Sequence, residues 1–174
     1  MAQSLSSFTD LIRSAERSAV HLEMRDVYAV PNENEQFAAW RQGHQLNPDD
    51  RDSWWRPWLD VVQEITAKGV RIRRARIVGE PPSEYIRYEH SFTFTNVAAG
   101  EEVRWLPRRL ASGIALPGND FWLFDDALVQ FNVFDGEGRW VETEQTGDET
   151  VAGLCAEAFE CVWERAVPHT AYII

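Results

Sequence analysis

The chain has 174 residues, 44% of them apolar, and a formal net charge of −11, which is enough apolar material for one domain with a core. So acidic a surface repels a phosphate backbone and argues against direct nucleic-acid binding, and no apolar run approaches the ~20 residues of a membrane span. The opening MAQSLSSFTD lacks a basic stretch followed by an apolar one, so no signal peptide is read and cytoplasmic residence is expected.

SSFTDLIRSAE spaces Phe8, Leu11, Ile12 and Ala15 helically and predicts a first helix. VHLEMRDVYAV alternates Val20, Leu22 and Met24 against His21, Glu23 and Arg25. It predicts a strand, half-buried at first and more buried later, that Pro31 ends. NENEQFAAWRQG, capped by Asn32 and stopped by Gly43, predicts a short second helix. NPDDRDSWWRPWLDVVQEITAKG predicts a longer third helix, capped by Asp52 or Ser53, with Pro57 in its first turn. Trp54, Trp58, Val61, Val62 and Ile65 then share one face as core, and Trp55, off that stripe, is the better candidate for a partner contact. Lys68, the only lysine, precedes Gly69, where a cation suits a helix end.

In VRIRRARIV, Val70 and Ile72 keep one phase and Ala75 and Ile77 the other; a bulge near Arg73–Arg74 reconciles them. The arginines of this strand form the densest positive patch of the chain. They read first as salt-bridge partners of neighbouring acids, with a small-anion site as the alternative. Beyond Pro81 and Pro82, Ser83 caps a fourth helix carrying Tyr85, Tyr88 and Phe92 and ending at Gly100, although SFTFT within it is strand-prone. EEVRWLPRR is a strand closing at Pro107. The rhythm of helix, strand, helix, strand implies a parallel pair with a right-handed crossover.

FWLF, LVQFNVF and RWVETEQ, separated by DDA and DGEG, read as an antiparallel meander. TGDETVAGLCAEAFECVWERAVP predicts a last helix that buries Val151, Leu154, Ala158, Phe159, Val162 and Trp163 and stops at Pro168. Cys155 and Cys161 fall on it roughly 9 Å apart along its axis, too far for a disulfide. The fold class is therefore α/β. One domain over residues 1–174 carries a mixed sheet with a βαβ unit and a C-terminal antiparallel meander, flanked by helices.

The stretch GNDFWLFDD, residues 118–126, looks like an acidic corner. Asp125 and Asp126 are explained by turn chemistry, whereas Asp120, which follows PGN and starts a strand, is less well explained, a cap on a backbone turn being its one local role. His21, His44, His90 and His169 are scattered, with no metal-ligand spacing, nucleophile elbow or phosphate loop. No catalytic residue, metal ligand or cofactor is assigned. An enzyme reading would rest on His90 with Glu89 or Asp120 as an acid/base unit.

EMRDVYAVPNENEQFAAWRQG, WWRPWLDVVQEITAKGVRIRRARIV, SEYIRYEHSFTFTNVAAGEEVRWLPRR and LPGNDFWLFDDALVQFNVFDGEGRW resemble an actinobacterial family, a domain of unknown function found beside helix-turn-helix regulators linked to antibiotic production and differentiation. The pattern of a βαβ half, a meander with an Asp turn and a final helix is also similar, at the level of fold, to phospholipase D-like domains. Their His-x-Lys-x4-Asp signature falls here on Gly118, Asp120 and Asp125, so the resemblance implies a degenerate, non-catalytic version. The expectation is a sensing or interaction domain that partners a helix-turn-helix regulator and takes a small anionic ligand near the carboxyl ends of the parallel strands. Arg104, Arg108, Arg109, Asp120 and Trp122 are its candidate ligand-binding residues. A small-molecule enzyme, acting on a phosphoester or a natural-product intermediate, is the alternative.

Overall fold

The computed structural model describes residues 5–29 and 33–174. Helix α1 (Leu5–Arg13) leads into strand β1 (Ser18–Glu23). Helices α2 (Asn34–Arg41), α3 (Arg51–Trp54) and α4 (Pro57–Ala67) precede β2 (Arg71–Val78), and α5 (Glu84–Ala98) joins β2 to β3 (Glu102–Pro107). A 3-10 turn, Arg108–Leu110, is followed by β4 (Asp120–Phe124), β5 (Leu128–Phe134), β6 (Trp140–Thr146), α6 (Glu149–Arg165) and β7 (Val167–Pro168). The seven strands form one sheet in the order β6-β5-β4-β1-β2-β3-β7. β1, β2 and β3 are parallel and the remaining pairs antiparallel, so the expected βαβ unit and meander are both present in a single mixed sheet.

Strand alternation divides the core. One face carries Val20, Leu22, Ala75, Ile77, Phe121 and Leu123, and α6 covers it with Cys155, Phe159 and Val162. The other face is covered by the remaining helices in two apolar clusters. One joins Ala19, Ile72 and Phe124 to Ile12, Leu59 and Ile65; the other joins Val78 and Trp105 to Tyr85, Ile86 and Tyr172. Both cysteines are free, Cys155 buried in the α6 layer. Among the described residues no helix is long and apolar enough to cross a membrane.

Several elements form as their residues dictate. Ser83 accepts a hydrogen bond from the Ile86 amide and starts α5, which runs unbroken through SFTFT. Burial of Tyr85, Tyr88, Thr93 and Thr95 along it outweighs the weak helix propensity of its threonines. Asp148 caps α6 through the amides of Thr150 and Val151, although Leu154, expected inside, is 44% exposed.

Other elements differ from the expectation. The strand read as far as Val30 stops at Glu23, because the Asp120 carboxylate takes the next amide, Met24 N, at 2.9 Å. The Pro31 stop and the Asn32 cap lie outside the described residues. The long third helix is two: Trp55 and Arg56 are extended between α3 and α4, as expected of residues leading into Pro57, which itself opens α4. β2 has no bulge and pairs in unbroken register with β1 and β3. Both its phases are inward, since Ala75 and Ile77 face α6 while Ile72, Arg74 and Arg76 face the other helices.

The Asp125–Asp126 pair is a turn, with φ of 52° and 59°. Asp125 also accepts the amides of Glu16, Arg17 and Ser18 at 2.8–2.9 Å. Burial opposes its charge, but these three bonds hold its carboxyl below the usual aspartate range. Asp125→Ala is expected to cost about 2 kcal/mol, as for a lost cap, read by urea denaturation; an unchanged midpoint would refute the role.

Candidate functional site

On the face opposite α6, inward positions between the two apolar clusters hold charged groups. Register places His21 beside Arg74 on one side and Trp122 on the other, and Glu23 beside Arg76. Asp120 pairs with Asn132. Sheet positions that ordinarily receive apolar side chains thus form a polar floor, and a cavity of about 600 Å³ lies over it. α5 walls the cavity with Tyr85, Tyr88, Glu89, Phe92, Thr93 and Asn96. Glu33 and Gln36 contribute from around α2, Arg56 and Trp58 from the start of α4, Tyr28 from the loop after β1, and Phe134 and Trp140 from the β5–β6 hairpin.

The floor is knit by ion pairs. Arg74, 8% exposed, donates to Glu101 at 2.6 Å and to Glu23 at 2.8 Å. Arg76 pairs with Glu89, and its Nε lies 2.6 Å from Glu23 Oε2, a close contact off the N–H axis. Glu101, 2% exposed, also accepts from Asn96 Nδ2 at 2.6 Å. Arg71 and Arg73 pair outside this floor with Glu102 and Glu160. The four arginines of β2 are therefore the salt-bridge partners that the sequence suggested first. Strong burial of two such pairs demands these bonds, since an unpaired charge there would be costly.

Three charged lining groups lack a counter-ion within ion-pair distance among the described residues. Arg56 donates only to neutral oxygens, Thr95 Oγ1 and Asn96 Oδ1, each at 3.0 Å, and burial lowers its pKa from the usual arginine value. Glu33 accepts the Tyr85 hydroxyl at 2.7 Å; burial and then the Glu89 carboxylate raise its pKa. Asp120 accepts the Tyr28 hydroxyl and the Met24 amide. Burial, with a smaller push from Glu23, raises its carboxyl to about 6 against these hydrogen bonds. His21 stacks on Trp122 at 4.2 Å; burial first, then Arg74 and Arg76, keeps it neutral by lowering its pKa well below 6.5.

The five residues expected to make one site are divided. Asp120 lines the cavity. Trp122 is buried beneath it, stacked on His21 and Phe124. Arg104 belongs to the other face of the sheet, where its guanidinium lies 4.3 Å over Trp163 and donates to the Trp163 carbonyl. Arg108 ties a loop, donating to the carbonyls of Met24 and Ile77 and to Asp26. Arg109 pairs with Glu80 at the surface. The His90 unit is not assembled: Glu89 holds Arg76, while His90 Nε2 meets the Tyr172 carbonyl and its ring packs on His169 and Trp105. Gly118 and Asp125 do not line the cavity that Asp120 lines. Trp55, taken as a partner contact, donates to Asp60 and lies under the Arg51 guanidinium, whereas Trp58, read as core, reaches the cavity.

Sequence reasoning missed Arg56, Glu33 and Tyr28, and read Glu89 only as a partner for His90 and Tyr85 only as a helix residue, where all five line one cavity. The one local signal was Arg56 itself: the residue before a proline at a helix start is held extended and its side chain leaves the helical stripe. Among the described residues no three or more His, Cys, Asp or Glu gather as metal ligands would.

Comparison with solved structures places the fold. NucT from Helicobacter pylori superimposes with a TM-score of 0.55 at 12% identity, over 94% of this chain and 89% of that one. A phospholipase D family member, Nuc from Salmonella typhimurium, gives 0.49 at 11%, over 92% and 86%. TrmBL2, an archaeal chromatin protein with a novel mode of DNA binding, gives 0.50 at 15% over 92% of this chain, which spans about half of its length (48%). The chain thus shares its single-domain α/β fold with NucT. No curated protein matches the sequence. The family model DUF6879, a domain of unknown function, matches residues 6–174.

Proposed function

We propose that this chain, which belongs to the DUF6879 family, is a sensing domain that binds a small molecule without transforming it and signals to a helix-turn-helix regulator of secondary metabolism or differentiation. The observation that carries the reading is the cavity, a largely preformed pocket of about 600 Å³, within the ordinary range for ligand sites. Its floor cations are already neutralised by the protein's own acids, an arrangement that fixes a ligand's orientation and offers no attacking group. Lys68 pairs with Glu64 at the surface, and Cys155 is enclosed under α6, where burial raises its thiol to about 11. A domain of this fold makes up about half of TrmBL2, a chromatin protein that binds DNA, which supports a role alongside a DNA-binding partner. The net charge of −11 leaves nucleic-acid contact to that partner.

Two measurements test this. A small-molecule extract of the source cells is expected to raise the melting temperature of the purified chain by several degrees, as mass action requires of any ligand that binds only the folded state. A pull-down from the source cells is expected to recover a helix-turn-helix regulator. Failure of both would overturn the proposal. One observation favours a small-molecule enzyme instead: a carboxyl titrating near 6, as Asp120 does, can exchange a proton close to neutrality. Consumption of an extract component by the wild type and not by Asp120→Asn would establish that second reading.

A further inference from the structure

We infer that the ligand of this cavity is a zwitterion, with its ammonium at the Glu33–Asp120 end and its carboxylate on Arg56, about as far apart as the ends of a tripeptide. This rests on the sensing reading and adds the chemistry of what is sensed.

The argument is an inventory of charge. Arg74 is clasped by Glu23 and Glu101, and Arg76 by Glu23 and Glu89, so these three acids and two bases are paired within the protein. Arg56, Glu33 and Asp120 remain, each bound only to neutral groups among the described residues. A guanidinium has five N–H donors; two of those on Arg56 are used, by Thr95 and Asn96. Burying a charge without its opposite is unfavourable, and a ligand that brings one opposite charge to each end removes that cost at both.

The helix α5 sets the distance. The Tyr85 hydroxyl touches both Glu33 and Glu89, which puts the acidic pole at the level of Glu89. Asn96, which holds Arg56, lies seven residues further along the same helix, a rise of about 10 Å. Three extended residues span about the same length. Between the poles α5 presents Phe92, with Tyr88 packed on it at 4.7 Å, so the middle of the ligand meets an aromatic wall.

Four pools of tripeptides built from leucine and phenylalanine test this by calorimetry on the full chain: both ends free, N-acetylated, C-amidated, and doubly capped. The free pool is expected to bind, and each cap to weaken binding at least tenfold. In Glu33→Gln acetylation should no longer matter, and in Arg56→Gln amidation should no longer matter. The caps act on the wild-type chain, so the comparison stands even where a variant folds poorly. Equal binding of all four pools overturns the inference. So does a lack of binding by every pool in a chain that still responds to the cell extract, which leaves the sensing reading intact. Silence toward both pools and extract overturns the two together.

Discussion

Replacing Arg74 with leucine is expected to lower the unfolding free energy by about 3–5 kcal/mol, the usual cost of breaking a buried ion pair from one side. Glu101, its partner, is 2% exposed and would keep only the Asn96 amide as donor. Glu23 would still have Arg76, so the loss is concentrated on one carboxylate. For a domain of this size each kcal/mol moves the melting temperature by about 2–4 °C, so the transition should fall by roughly 10 °C. The double variant Arg74→Leu, Glu101→Leu removes both charges and should recover most of that loss, because well-packed apolar groups replace a buried pair at little or no cost. A single variant as stable as the wild type would show that the pair is hydrated and the cavity floor open.

Asp120 gives the second large effect, and it depends on pH. Burial raises its carboxyl from 3.8 to about 6, so between these values the folded chain holds a proton that the unfolded chain has released. The unfolded state binds fewer protons there, and stability falls as pH rises. The group's penalty is absent below about pH 4 and complete above about pH 7, and a displacement of this size corresponds to about 3 kcal/mol. Asp120→Asn carries no such penalty. It has one oxygen where the aspartate uses two, for the Tyr28 hydroxyl and the Met24 amide, and loses about 1–3 kcal/mol for the bond left unmade. The variant should therefore be the less stable protein at pH 4 and gain on the wild type by about 3 kcal/mol on going to pH 7. Chemical denaturation at a series of pH values reads this directly; a constant offset between the two proteins would mean that Asp120 titrates normally.

Both expectations concern side chains whose partners the sequence showed only in part. Local chemistry was legible wherever the responsible residues are neighbours in the chain. Ser83 caps its helix, the Asp125–Asp126 pair turns a hairpin, and the meander and βαβ unit follow from residue pattern. What could not be read was which face each strand residue meets. β2 is covered on both sides, so its apolar and arginine phases are both inward, and alternation alone looked like a bulge. The same ambiguity separated Arg104 from Asp120: strand parity sends one toward Trp163 and the other into the cavity. The cavity's unpaired groups come from segments far apart in sequence, Glu33, Arg56 and Asp120, and only the sheet order brings them together. Asp120 was noticed because turn chemistry did not account for it, which is the kind of local misfit that marks a functional position.

Strand parity has a further consequence for how such a domain can diverge. No α6 residue lines the cavity, so the packing that secures the fold against α6 and the groups that line the cavity sit on alternate residues of the same strands. The two sets of side chains point away from each other and share only the backbone between them. Descendants of a common ancestor can exchange Asp120, or Arg74 together with Glu101, and with them the chemistry of the cavity, while Leu22, Ala75 and Phe121 continue to hold the same scaffold. Under the sensing role proposed above, one architecture would in this way serve many chemical signals without being rebuilt for each.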